Sequence, residues 1–296
     1  MQPFLYQYTM TNRFQILFLL ALLACTRGPE PTNTPMERPA GKLFIIGGGK
    51  RPAAMVKELV ELSKIDKEGY GIILPMSSEE PDSSVYYAKI QFADLGITNV
   101  TGMNFTKDQP ATPQQLDSIK GAHLIYISGG DQNKFMQVVY QTPIEVAIKE
   151  AFKNGSVVAG TSAGAAVMSK KMITGNELKY PLYEETFRNI ESNNIEIKPG
   201  LGLIETAIID QHFIKRSRYN RLICAVIEYP GMLGIGIDES TAIIVEGDSA
   251  RVTGESQVIL FRNPDHSQAD HNGLLGANDL RLDVLLPGAK FSLSNK

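Results

Sequence analysis

The pentapeptide Gly160-Thr161-Ser162-Ala163-Gly164 constrains this chain more than any other stretch. It follows the largely apolar run Ser156-Val157-Val158-Ala159 and precedes the helix-compatible Ala165-Ala166-Val167-Met168. A serine so placed sits on a sharp strand-to-helix turn, its hydroxyl presented at a sheet edge and its neighbouring backbone N–H groups free at a helix start. The small flanking residues are a steric requirement, because strand and helix approach closely at such an elbow and the serine is open to a strained conformation. The competing reading is a plain glycine-rich turn.

The elbow belongs to an alternating pattern. Strand signals fall over Leu43 to Ile46, Gly71 to Leu74, Leu124 to Ile127 and Val157 to Ala159, and helix signals over Ala53 to Ser63, Ser84 to Leu95, Lys134 to Tyr140 and Pro143 to Asn154. Near-continuous apolar strands between helices predict an α/β fold with a mainly parallel sheet and helices on both faces. In the last third, short strands over Met232 to Ile237, Ala242 to Glu246, Ala250 to Thr253 and Val258 to Phe261 are expected to form antiparallel hairpins added to one sheet edge.

A serine nucleophile needs a base, and of His123, His212, His266 and His271 only His212 lies in a segment built around it, Ile208-Ile209-Asp210-Gln211-His212-Phe213. An apolar strand running into Asp-Gln-His predicts an imidazole at the strand's carboxyl end, on the same edge as Ser162. His123 belongs to the opposite edge, and His266 and His271 to a polar loop. Gly236-Ile237-Asp238-Glu239-Ser240-Thr241 supplies two carboxylates to orient the imidazole, and on spacing alone either Asp238 or Glu239 serves. Gly129 and Gly130 offer N–H groups after the strand that ends at Ile127. With Ala163 N–H, one of them, assigned as Gly130, is expected to form an oxyanion hole; the bland alternative is a turn.

Taken with these residues, the chain resembles the cyanophycinases, in the serine-hydrolase family that also contains dipeptidase E. The resemblance is carried by Phe44-Ile45-Ile46-Gly47-Gly48-Gly49, Ile127-Ser128-Gly129-Gly130-Asp131-Gln132, the elbow, Pro199-Gly200-Leu201-Gly202-Leu203, Asp210 to Phe213 with Arg216, Arg218 and Arg221 behind it, and Gly236 to Ala242. It implies a layout close to that of class I glutamine amidotransferases and a Ser162-His212-Glu239 triad, choosing Glu239 over Asp238. It also implies substrate contacts at Gln132, Asp210, Gln211, Arg216, Arg218 and Arg221, although an ion pair to a nearby arginine is an equal reading of Asp210. Near Thr174 to Glu177, where family members carry a glycine-rich loop, this chain continues as Leu178-Lys179-Tyr180-Pro181-Leu182-Tyr183-Glu184-Glu185 with little glycine, which puts specificity in doubt before chemistry.

The basic run Lys215 to Arg221 bears on substrate. Positive charge in the first turn of a helix opposes the helix dipole, so something must compensate, and arginine is suited to gripping carboxylates in a bidentate fork. Arg216 and Arg218 cannot share one face of a regular helix, so the helix is expected to begin near Ser217 or Arg218 if both reach the site. The resemblance implies cleavage of cyanophycin, a poly-aspartate carrying arginine on each β-carboxyl, to β-aspartyl-arginine dipeptides. The alternatives are a dipeptidase-E-like aspartyl peptidase on short peptides and a catalytically silent ligand-binding lipoprotein.

At 296 residues, 43% hydrophobic and 21% charged, the chain is globular in composition, and its net charge of −3 argues against nucleic acid as a partner. No cofactor or metal is expected. The glycines at 47–49 do not complete a dinucleotide fingerprint, since Pro52 stands at the third glycine position, and no CxxC or His/Cys cluster occurs. The N-terminal part reads differently. Phe14 to Ala24 is an apolar run of signal-peptide length ending in Leu22-Leu23-Ala24-Cys25, which resembles a lipobox, with Cys25 the expected lipidation site. Residues 1–24 are thus expected to be a lipoprotein-type signal peptide, with Met10 as good a start as Met1, 25–41 a proline-rich tether and 42–296 the serine hydrolase domain. That predicts an exported protein, lipid-anchored to a bacterial membrane with an outer-membrane or surface address favoured, and leaves room for a homodimer. Cys224, in an apolar helix, is expected to be an inert buried thiol.

Overall fold

The computed structural model describes residues 41–182 and 186–294. The proposed signal peptide, Cys25 and the tether lie outside them.

The first strands are β1 (Lys42–Ile46), β2 (Gly71–Leu74), β3 (Val100–Gly102), β4 (Leu124–Ile127) and β5 (Val157–Thr161); β2, β4 and β5 are buried on both faces and β1 is buried beyond Lys42, whereas the short edge strand β3 buries only Val100. Between them run α1 (Ala53–Ser63), α2 (Pro81–Ala93), α3 (Pro113–Lys120), α4 (Gln132–Val139) and α5 (Pro143–Lys153), and β5 turns directly into the one-turn α6 (Ala163–Ala166). Proline at the first turn starts α2, α3 and α5, where its missing N–H costs nothing, and α3 adds a Thr112/Gln115 capping box. The five strands pair in parallel in the order β1-β5-β4-β2-β3. Alternation along each strand sends Phe44, Ile46 and Tyr126 towards α1 and α2, and Leu43, Ile45, Ile125 and Ile127 towards the opposite core.

The second half of the chain comprises β6 (Lys171–Glu177), β7 (Ile195–Pro199), β8 (Ala207–Gln211), α7 (Tyr219–Glu228), β9 (Leu233–Ile237), β10 (Thr241–Glu246), β11 (Ser249–Gly254), β12 (Val258–Arg262), β13 (Ala269–His271), β14 (Leu274–Gly276), β15 (Arg281–Leu285) and β16 (Lys290–Ser292). β10 pairs antiparallel with β1 and is followed outward by β11 and β16, completing an eight-stranded sheet. β9 and β12 do not join it. They form a separate four-stranded sheet, β15-β12-β9-β8, in which β8 and β9 run parallel. The expected antiparallel hairpin on one sheet edge is present as β10–β11 beside β1, and the expectation is corrected for β9 and β12 alone: β9 and β10 are consecutive apolar strands, but three residues between them carry the chain from one sheet to the other. The shared edge expected for Ser162 and His212 is corrected too, because β8 belongs to the second sheet. The inner face of that sheet, with Ile209, Ile235 and Leu260, joins the core beneath the first, while Ile208, Ile259 and Phe261 pack against α7. The helix over 217 onward begins at Tyr219, after a left-handed Ser217 (φ 48°).

Candidate active site

Ser162 occupies the turn between β5 and α6 with φ 53° and ψ −111°, a conformation rarely adopted by a residue with a side chain. Packing imposes it. A Cβ at Gly160 would run into the backbone of Gly164, so the turn closes this tightly only between two glycines. His212 also has a positive φ, 48°, at the end of β8. Its Nδ1 lies 2.7 Å from Glu239 Oε1 and its Nε2 2.9 Å from Ser162 Oγ. A carboxylate can only accept, so Nδ1 carries the proton and donates it to Glu239, which leaves the Nε2 lone pair to accept from the serine hydroxyl.

The three residues come from three places, and one segment ties them together. Ser162 N–H donates to Ile46 O (3.0 Å), His212 N–H to Gly47 O (2.7 Å) and Ser240 N–H, next to Glu239, to Gly48 O (2.9 Å). Successive carbonyls at the end of β1 thus receive one amide from each arm of the site. A Cβ at Gly48 would strike the His212 imidazole, so the ring lies directly on this backbone. The 47–49 glycines, which have the look of a phosphate loop, act as a clamp.

Burial is the main influence holding His212 below the ordinary histidine pKa; the Arg216 and Arg218 charges add to it and the Glu239 hydrogen bond opposes it. The imidazole is accordingly neutral at pH 7, the state in which it can take a proton. Asp238, adjacent to Glu239, points elsewhere. Its Oδ1 accepts from Ile214 N–H (3.1 Å) and Lys215 N–H (2.9 Å), and its Oδ2 from Ser256 Oγ (2.7 Å), pinning the turn that follows His212.

Ser162 opens onto two cavities. One, of about 280 Å³, is lined by Gly130, Gln132, Asn133, Gly175, Asn176, Gln211, Arg216, Arg218 and Arg221, among others. Left-handed Ser217 allows Arg216 and Arg218 to reach it together. The guanidinium of Arg218 donates to the Gln211 backbone carbonyl (2.9 Å) and to its Oε1 (2.6 Å). Arg221 and Asp210, each 1% exposed, form a bidentate ion pair in which Arg221 Nε donates to Oδ2 over 2.7 Å and Nη2 donates to Oδ1. The pair compensates a helix start that would otherwise be uniformly positive, and three arginines against Asp210 and Asp131 leave the cavity with an excess of positive charge.

A serine, a base and an acid in hydrogen-bonded series beside a cationic cavity are equipment for acyl transfer to water. The profile of peptidase family S51 matches residues 43–253. The chain belongs to this family. The S51 peptidase is 34% identical over 235 residues, 76% of each chain, to a cyanophycinase of Trichormus variabilis. It is 24% identical over 212 residues to a peptidase E of Shewanella denitrificans, covering 71% of this chain and 83% of the relative. A solved peptidase from an acI-B1 Actinobacterium has the same fold, with a TM-score of 0.62 at 22% identity over 85% of this chain and 96% of that one. The family makes this chain a serine-type peptidase.

Most residues singled out from the sequence of the S51 peptidase converge on this site. Gly130 lines the arginine cavity with Ser162, and Ala163 is the first residue of α6, whose N–H has no acceptor within the helix. Gly129 packs against the serine; a Cβ there would lie 3.9 Å from Oγ. Asp210 and Arg221 stand apart among the expected substrate contacts: each is taken by the other in a buried pair, so the ion-pair alternative describes Asp210. Gln132 commits its amide donors to the carbonyls of Ile173 (3.0 Å) and Thr174 (2.7 Å). Where the family's glycine-rich loop was placed, Thr174 to Glu177 forms the end of β6, and Thr174, Gly175 and Asn176 wall the cavity. Asn133 was missed by sequence reasoning, although its place in Asp131-Gln132-Asn133 after a strand end was a usable signal. Cys224 is fully buried, and burial pushes its thiol up to about 11, as suits an inert side chain.

Proposed function

We propose that this S51 peptidase hydrolyses cyanophycin to β-aspartyl-arginine dipeptides through an acyl-enzyme on Ser162. The hydrogen-bonded series Ser162–His212–Glu239 opening onto the arginine cavity carries the reading, and similarity to a cyanophycinase over most of both chains supports the substrate. His212 Nε2 takes the Oγ proton as Oγ bonds to a backbone carbonyl carbon, and Glu239 stabilises the imidazolium. Ala163 and Gly130 N–H groups receive the developing oxyanion. Collapse breaks the C–N bond, with the proton passing from Nε2 to the departing amine, and water repeats the sequence to free the acid. Arg216 and Arg218 grip free carboxylates of the substrate, Gln211 and Asn176 complete the wall, and the Asp210–Arg221 pair holds the arginines in place.

Purified protein offered cyanophycin, aspartyl dipeptides and casein should release soluble dipeptides from the first, and Ser162→Ala should abolish that release with the fold intact. Cleavage of aspartyl dipeptides alone would favour a peptidase-E-like activity, and silence towards all three a ligand-binding role. Export is part of the proposal and rests on Leu22-Leu23-Ala24-Cys25. Full-length protein in a bacterial host should partition with membranes and incorporate labelled fatty acid, whereas Cys25→Ser should do neither.

A further inference from the structure

The second cavity beside Ser162 has no part in the reading above. It measures about 430 Å³, and its walls include His212, Gly129, Arg51, Glu80, Tyr87 and Tyr126. The two cavities share Ser162 and part on either side of it: Gly129 and His212 face this one, Gly130 and Gln211 the arginine cavity. That division sets a direction. In acyl transfer to a serine, the imidazole that took the Oγ proton returns it to the leaving amine, so the amine must depart on the imidazole's side. The oxyanion donor proposed at Gly130 lies on the other.

We propose that this second cavity is the leaving-group subsite and that it selects a residue bearing both a cationic side chain and a carboxylate. Four features of the walls fit that occupant. Glu80 precedes α2 at the N-cap position, yet its side chain makes no capping bond and it stands exposed at the rim. Its carboxylate has no ion-pair partner among the described residues. Arg51 is held in place, Nε donating to Gln91 Oε1 (2.6 Å) and Nη1 to Gly49 O (3.3 Å), but both acceptors are neutral, so its charge is open to a carboxylate. Tyr87, 66% exposed, offers a ring face over which a guanidinium can lie. Tyr126 is only 2% exposed, and its hydroxyl has no hydrogen-bond partner among the described residues. A buried unpaired hydroxyl is unfavourable by itself, and a ligand group that accepts from it relieves the cost.

The proposal rests on Ser162 and His212 acting as nucleophile and base, so its test keeps the two claims apart. Two peptides share the acyl half that the wild type accepts and differ in the leaving aspartyl residue, whose β-carboxyl carries arginine in one and glutamate in the other. The wild type should favour arginine, and Glu80→Lys should shift the ratio of kcat/KM values towards glutamate by about 10-fold or more, because like charges brought together discriminate strongly. Tyr126→Phe should raise KM for the arginine peptide without lowering the melting temperature, since the hydroxyl it deletes has no partner among the described residues. Equal losses on both peptides in Glu80→Lys, or an unmoved KM in Tyr126→Phe, would overturn the subsite and leave the peptidase standing. A wild type inert towards both peptides would remove the parent reading and the subsite with it.

Discussion

The eight-stranded and four-stranded sheets hold their shares of the site by different physics. On the first, Ser162 is placed by steric closeness: a strand buried on both faces, two glycines and a one-turn helix leave the hydroxyl a single position. On the second, side-chain hydrogen bonds and charge do the placing. Glu239 aligns His212, Asp238 pins the following turn, and Asp210 anchors Arg221 beneath the cavity. Packing is hard to perturb by deleting one polar atom, whereas a polar network fails when one partner is removed. Mutations of equal size should therefore act mainly on chemistry on the first side and divide on the second, with Glu239 acting through chemistry and Asp238 and Asp210 through geometry or stability.

The sharpest probe is the pair Asp238 and Glu239. Glu239→Gln keeps the shape but leaves the His212 cation without its carboxylate, so turnover should fall by about 10⁴-fold with the melting temperature nearly unchanged. Asp238→Asn should lose far less turnover and instead destabilise the fold by about 1–3 kcal/mol, since it weakens three hydrogen bonds to a buried carboxylate. Steady-state kinetics and denaturant melts on both variants would break the comparison if the ranking were reversed.

Arg221 tests whether the second side is held by its ion pair. Arg221→Ala strands a carboxylate that is 1% exposed and should cost about 3–5 kcal/mol of stability. Adding Asp210→Asn should recover part of the loss, because the stranded charge is gone. A single variant that unfolds at the wild-type denaturant concentration would show that packing, not the pair, holds the arginines.

The same contrast explains what could be read from the chain. Strands β1, β2, β4 and β5 and helix α1 announce themselves through local apolar runs and periodicity. The short β3 and the β6–β7 pair carry weak local signals and form because distant partners supply their hydrogen bonds. Nothing within Leu233 to Glu246 tells that β9 and β10 part company at Asp238 to Ser240, since both read as buried strands and the choice of sheet is made by β8 and β1. The triad was legible because an elbow and a histidine behind an apolar strand are local patterns, while the choice of Glu239 over Asp238 came from the family resemblance. The clamp at Ile46 to Gly48 was not, for it consists of backbone carbonyls whose partners lie more than a hundred residues away. The leaving-side walls escaped notice too: Arg51, Glu80 and Tyr87 stand on separate segments with no shared motif.

The smallest expected effect concerns the pH at which His212 changes charge, where the two sides meet. Burial against the first sheet and the Arg216 and Arg218 charges from the second both hold the imidazole below its ordinary pKa, with Glu239 pulling the other way. In the proposed mechanism neutral His212 is the base, so kcat should remain on its plateau through the ordinary histidine range and fall only on further acidification, as the ring gains its proton. Arg216→Gln removes one cause of the lowering. The His212 pKa should then rise and the acid limb of the profile move to higher pH, a shift that saturating substrate isolates from any loss of binding. An NMR titration of the imidazole in Ser162→Ala, with and without Arg216→Gln, reads the same displacement directly. A limb that stays put would assign the lowering to burial alone, and a limb that moves to lower pH would contradict the sign of the arginine's influence.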